Sequence, residues 1–337
     1  PLPERPHMFR TLLAFSLWLS LATAGAAQCV GQDLRQTLSP EERARLDLLM
    51  ADVPYASGNR WRAERDGEII YLVGTIHLSD PRLDAPLERL RPVVARSGAV
   101  LLEMPRAEQA KLMQAISSQP GLLLLTEETL PELMPEEDWA ALAEAAKAHG
   151  IPPFMAAKFR PWYLSMMLAL PACAKSALDS HDGLDFRIEV LAEAKGVPTV
   201  ALESFDTTFG IFNAEPLDEQ IEMMSVSLTT QGEDADGMAT TIAAYFDEAA
   251  GEMWKFSEIQ ILRSGLYTPE EAAQMMRESG DAILSQRNHA WIKVILQTAK
   301  TTEKPIVAAF GAAHLPGEDG VLNLLARAGF TLTREPF

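Results

Sequence analysis

The sequence predicts an α/β fold: a mostly parallel central sheet, Gly-x-x-His turns at strand ends, and long helical insertions. Three observations lead there. Short apolar runs without alternation recur along the chain, as expected of strands buried on both faces. Helical patterns separate those runs, and strand–helix–strand order reads as parallel pairing with crossovers. Two long stretches, about 106–180 and 206–298, hold no strand signal and are rich in Ala, Met, Leu and Glu, which favour helix.

The elements follow in order. Met8 to Ala27 reads as an export signal: Arg10 as the positive region, Leu12–Leu21 as the apolar region, then small residues ahead of a cleavage point near Ala27. The apolar run is short for a spanning helix, which needs about 20 residues. Residues 1–7 read as an over-extended start. The expectation is a periplasmic or secreted protein with no membrane span after cleavage. Residues 28–337 then form one α/β unit carrying the two helical insertions. An oxidising compartment makes the only two cysteines, Cys29 and Cys173, a candidate disulfide. Closing so long a loop is worth up to about 4–5 kcal/mol in the chain-entropy account.

Ser39-Pro40-Glu41-Glu42 and Thr268-Pro269-Glu270-Glu271 both read as capped helix starts, with Pro at the first helical position. The strand candidates are Ile69–Val73, Ala99–Leu102, Val197–Leu202 and Pro305–Phe310, with a last one over Gly329–Thr333. Helical patterns run over Ala85–Ser97, Asp185–Lys195 and Glu318–Ala328. The methionine pairs of the insertions, such as Met166-Met167 and Met223-Met224, read as core filler.

Ligands in open α/β sheets bind beyond the carboxyl ends of the strands. Four candidate strands lead there into His77, Glu103, Glu203 and His314. Gly74 and Gly311 are expected to permit a sharp exit from the strand ahead of each His. Two imidazoles and two carboxylates suit a borderline divalent ion. Such an ion with an open position brings water towards deprotonation near neutral pH. Without a metal, one His could act as a general base whose tautomer a Glu fixes. Taken singly, a Glu at a strand end is usually a solvated loop residue or cap. A single His there is usually a hydrogen-bonded structural residue. The recurrence of the same turn is what raises His77 and His314 together. Elsewhere, His149 reads as a helix C-terminal residue, His289 as packing beside Trp291, and His181-Asp182-Gly183 as a turn ahead of a helix that starts near Asp185.

Composition excludes other classes. A net charge of −18, from 29 basic and 47 acidic side chains, argues against a surface that tracks nucleic-acid phosphates. There is no Gly-x-Ser-x-Gly elbow, no His-Glu-x-x-His, no Walker A loop and no Gly-x-Gly-x-x-Gly.

Taken together, the motifs resemble the TraB/GumN family, which includes the Tiki proteases. Gly74-Thr-Ile-His77-Leu78 is similar to its first Gly-x-x-His motif, and Val100-Leu-Leu-Glu103 to the strand-end Glu that follows. Gly183-Leu-Asp185 with Val200-Ala-Leu-Glu203, then Arg287-Asn288, then Gly311-Ala-Ala-His314-Leu315-Pro-Gly317 complete the ordered set. The resemblance spans about Trp61 to Leu332. It implies a fold like that of erythromycin esterases and the haem-associated ChaN proteins.

From the Tiki branch, the resemblance implies a metal-dependent peptidase. His77, His314 and one or both of Glu103 and Glu203 would hold a divalent ion (Mn, Co or Zn). Asp185 would belong to the site, and Arg287 would stabilise an oxyanion or orient a carboxylate. From the GumN branch, it implies an exported protein linked to polysaccharide production. Two alternatives stay open. One is a metal-independent, esterase-like hydrolase with a His base. The other is a non-catalytic exported protein that binds a metal, haem or saccharide. The partner expected is a peptide or small-molecule substrate.

Overall fold

A computed structural model of the protein describes residues 31–171, 177, 180–229 and 234–337. The expected export signal, Cys29 and Cys173 lie outside the described residues.

Among the described residues, six strands make one sheet: β1 (Arg60–Arg65), β2 (Glu68–Thr75), β3 (Ala99–Leu102), β4 (Thr199–Ala201), β5 (Ile306–Gly311) and β6 (Thr331–Arg334). Their spatial order is β4-β3-β5-β2-β1-β6. The four strands β4, β3, β5 and β2 run parallel, whereas β1 is antiparallel to both β2 and β6. The parallel heart agrees with the sequence reading. The antiparallel β1 was not anticipated. Its sequence, Arg-Trp-Arg-Ala-Glu-Arg, sends only Trp61 and Ala63 fully inwards, so it carries no apolar run. A left-handed Asp66-Gly67 turn joins β1 to β2, with φ of 49° and 87°.

β3 and β5 are buried almost throughout, as their uninterrupted apolar sequences require. β4 corrects the expectation of burial on both faces. It is a three-residue edge strand with Thr199 exposed and Val200 and Ala201 half-buried.

The two faces of the sheet pack on different helices. Ile70, Leu72, Leu101 and Ala308 meet Trp291 and Ile295 of the helix Gln286–Thr301, and Leu322 and Leu325 of the helix Val321–Arg327. Tyr71, Val73, Val100 and Val307 meet Leu90 and Val94 of the helix Asp84–Arg96, and Leu184 and Ile188 of the helix Leu184–Lys195. Full burial of an aliphatic side chain is worth roughly 1.5–3 kcal/mol, so these two layers fix the strands that carry the site.

The insertions are helical as expected. A separate core of Leu130, Leu142, Leu164 and Met224 ties helices of the first insertion to Leu217–Thr229 of the second. Met224 is fully buried there, but Met166 is 48% exposed, so the methionine pairs are core filler only in part. Both expected helix starts form complete capping boxes, Ser39 with Glu42 and Thr268 with Glu271. Among the described residues, no helix is long and apolar enough to cross a membrane.

Candidate functional site

The parallel strands β2, β3, β4 and β5 all run towards one rim, and each delivers one of the expected residues there. Glu103 follows β3 directly. Its Oε1 accepts a 2.6 Å hydrogen bond from the backbone N–H of Gly311, at the end of neighbouring β5. A Cβ at Gly311 would stand 3.3 Å from that oxygen and 3.7 Å from His314 Cδ2. Gly311 therefore serves close approach. Gly74 does the same: a Cβ there would meet Leu315 Cδ1 at 2.8 Å and the Ala312 Cβ at 2.9 Å. Neither glycine has a positive φ. This corrects the expectation that they provide a sharp backbone exit. They let the two Gly-x-x-His segments lie against each other.

His314 closes a short 3₁₀ turn after β5 and is 4% exposed. Its ring lies 4.3 Å from the Trp291 ring. Nδ1 is 2.7 Å from Asn288 Oδ1, and Asn288 Nδ2 donates in turn to the Asp319 carbonyl at 2.9 Å. With its amide nitrogen committed, Asn288 must offer its oxygen to the ring, so Nδ1 carries the hydrogen and Nε2 keeps its lone pair. Burial, helped by the Arg287 and His77 charges and opposed by Glu103, pushes His314 down to about 4, so the imidazole is neutral.

Arg287 sits above this pair. Nε and Nη2 donate to Glu203 Oε2 and Oε1 at 3.0 and 2.6 Å, and Nη2 also reaches Glu103 Oε2 at 3.2 Å. Nη1 donates to the Ile283 carbonyl at 3.1 Å and lies 3.3 Å from His314 Nε2. Trp291 Nε1 donates to Glu203 Oε2 at 2.9 Å. Burial disfavours the Arg287 charge, but the two carboxylates outweigh it and raise its pKa. The helix that carries Arg287 is preceded by one π-helical turn, Asp281–Ser285. Such turns re-aim the residues that follow and gather at functional sites. The sequence offered no signal for it.

On the other face of the sheet, His77 follows β2 and is open to solvent, its side chain 56% exposed. Its Nδ1 lies 3.1 Å from Asp185 Oδ2, in the first turn of the helix Leu184–Lys195. The Asp185 hydrogen bond raises the His77 pKa to about 9. Gly183 allows this pairing. A Cβ there would stand 2.6 Å from the Ile76 carbonyl oxygen and 2.7 Å from His77 C. A cavity of about 260 Å³ opens beside the pair, and Thr75, His77, Glu103, Asp185 and Glu189 line it. Burial pushes the Glu103 pKa up, but the His77 and Arg287 charges and the Gly311 N–H overcome it, leaving Glu103 a carboxylate.

The structure thus brings His77, Glu103, Asp185, Glu203, Arg287 and His314 to one rim, with Glu103 joining the two faces. Asn288 and Thr75 were given no site role in the sequence, although both fall within the motifs that carry the family resemblance. His181-Asp182-Gly183 is structural: Asp182 pairs with Arg187 at 2.7 Å. His149 caps its helix as expected, its ring bonded to the Ala145 carbonyl. His289 is not packing; it is 53% exposed and pairs with Asp319 at 3.0 Å.

The donor set bears on a metal. Each imidazole has Nδ1 held by a side-chain oxygen. Metal-binding histidines are held in this way. A metal at Nε2 would have to displace the His77 proton there and the Arg287 Nη1 contact at His314. Glu103, Asp185 and Glu203 outnumber the Arg287 guanidinium, so the rim favours added positive charge. His77, Glu103 and His314 fit a divalent ion by type, and the long Arg287 contacts to Glu103 Oε2 and His314 Nε2, at 3.2 and 3.3 Å, would give way to it. Glu203 fits less well, because Arg287 and Trp291 hold both its oxygens at 2.6–3.0 Å in a bidentate pair. Among the described residues, no three His, Cys, Asp or Glu side chains form a ready-made ligand group.

The sequence profile of the TraB/PrgY/gumN family matches residues 59–334. No curated protein matches the chain.

Proposed function

The chain belongs to the TraB/PrgY/gumN family, and from that premise we propose that it is an exported, metal-dependent hydrolase acting on peptide bonds. One observation carries the reading. His77 and His314 stand beyond the ends of adjacent parallel strands with Nδ1 anchored, and Glu103 Oε1 lies 3.8 Å from His314 Nε2. His77, Glu103 and His314 would hold the ion. When bound, it would supply the Lewis acidity that brings a water towards deprotonation near neutral pH.

The chain's own residues do the rest. Asp185 fixes the aim of His77, and Asn288 fixes the aim and tautomer of His314. Arg287 donates to Glu203 through Nε and Nη2 and to Glu103 through Nη2, so its part is to hold Glu103 in place and to neutralise Glu203. The 260 Å³ cavity beside His77 receives the group next to the scissile bond. Water adds to the carbonyl carbon, the C–N bond breaks, and the amine leaves with a proton.

The test is turnover of a quenched-fluorescence peptide library. Hydrolysis that stops on chelation and returns with Mn²⁺, Co²⁺ or Zn²⁺ supports the reading. Hydrolysis that survives thorough chelation contradicts it. That second outcome belongs to a metal-free hydrolase using the His77–Asp185 pair. The observation favouring it is the Arg287 guanidinium, which already bridges Glu103 and Glu203.

A further inference from the structure

Thr75, one of the residues lining the cavity, carries a polar atom that the fold does not use. Thr75 ends β2 and is 3% exposed. Its Oγ1 is buried and has no hydrogen-bond partner among the described residues. A buried hydroxyl left unpaired costs free energy, and most such groups find a partner. The surroundings do not call for a hydroxyl. Val73, Val100, Leu102, Val307 and Ala309 on the same face are apolar. Valine has the same branched shape and would fill the position without the cost.

The position of this hydroxyl is what gives it a role. Thr75 pairs in register with Gly311 across β2 and β5, and the Gly311 N–H holds Glu103 Oε1. Thr75 therefore stands beside the Gly311 amide that holds Glu103, and two residues before His77. Thr75, Glu103 and His77 line the same cavity. A hydroxyl both donates and accepts, so it can satisfy a carbonyl oxygen that enters the cavity.

We propose that the Thr75 hydroxyl is a substrate-contacting catalytic residue that donates a hydrogen bond to the carbonyl oxygen of the scissile amide. The proposal rests on the hydrolase reading and adds to it the group that meets the oxygen. As water adds, that oxygen gains negative charge. A donor already buried and aligned there stabilises the transition state more than the ground state. The hydroxyl keeps its own proton throughout; no bond to Thr75 forms.

Thr75→Val and Thr75→Ser, assayed on the peptide library with Mn²⁺, Co²⁺ and Zn²⁺ supplied in turn, test this. Thr75→Val is expected to melt no lower than the wild type, since nothing in the fold loses a partner. Its kcat is expected to fall about 100-fold, the scale of losing one oxyanion donor, with KM changed less than about threefold. Thr75→Ser keeps the hydroxyl and is expected to recover most of that loss. Wild-type kcat in Thr75→Val overturns the proposal while leaving the hydrolase reading standing. A melting temperature several degrees lower in Thr75→Val also overturns it, because the hydroxyl would then serve the fold. No turnover by the wild type with any of the three ions overturns both.

Discussion

Arg287 lies bidentate on Glu203, with Nε 3.0 Å from Oε2 and Nη2 2.6 Å from Oε1, and the two side chains are only 11% and 5% exposed. This pair sets the geometry of the rim. It holds the helix Gln286–Thr301 against the end of β4 and presents Nη2 to Glu103. Removing one member of a buried pair strands the other's charge, at a cost of about 3–5 kcal/mol. Arg287→Met is expected to lose about that much in urea unfolding. The double variant Arg287→Met/Glu203→Gln is expected to lose less than the sum of the two single changes, as the partners are coupled. Additive losses would show that the pair is not the unit described here.

Gly183 is tested separately. Its missing Cβ leaves room for the Ile76 carbonyl and the His77 backbone, neither of which can rotate aside. Gly183→Ala is expected to displace the His77 loop and separate His77 from Asp185. Overpacking of this kind costs about 1–3 kcal/mol. The imidazole resonances of His77, followed by NMR, should shift, while those of His149 at its distant helix end should not. Unchanged His77 resonances would show that the loop has slack.

The pairs at the rim were not equally legible in the sequence. β3 and β5 announce themselves because a strand buried on both faces must be apolar throughout, and their last residues could be read straight into Glu103 and His314. β1 could not be read in this way: only Trp61 and Ala63 of its six residues are fully buried. The four strand-end residues were legible as a set, but their division of labour was not. Glu203 and Arg287 stand 84 positions apart, so nothing local reveals that the guanidinium claims that carboxylate. Asn288 and Thr75 matter through one atom each, Oδ1 beside His314 and an unpaired Oγ1, and single-atom relationships leave no pattern along a chain.

A pH dependence of stability follows from Glu42. The Arg263 guanidinium and the Ser39 capping N–H hold its carboxyl down at about 2, against an ordinary value of 4.5. A depressed folded pKa means stability that is fully present above 4.5 and is lost as pH falls from 4.5 towards 2. Glu42 is partly solvated, so the contribution is at most about 1 kcal/mol. Glu42→Gln is expected to be less stable than the wild type at pH 7, with the difference closing by pH 2. A difference that stays constant across that window would assign the effect to shape rather than charge.

Asn288 gives a spectroscopic expectation. Its Oδ1 holds His314 Nδ1 at 2.7 Å, so His314 should be the Nδ1–H tautomer, read from its ¹⁵N shifts. In Asn288→Leu the acceptor is gone and the tautomers should mix. An Nε2–H tautomer in the wild type would contradict the arrangement.

The most direct test of the central claim is Co²⁺ binding followed by visible absorption, on the wild type and on His77→Ala, Glu103→Gln and His314→Ala. The account expects one equivalent bound by the wild type, with d–d bands of a nitrogen- and oxygen-ligated ion, and at least a tenfold loss of affinity in each variant. Wild-type protein that binds no Co²⁺, or binds it equally well after all three substitutions, would contradict a metal centre at this rim.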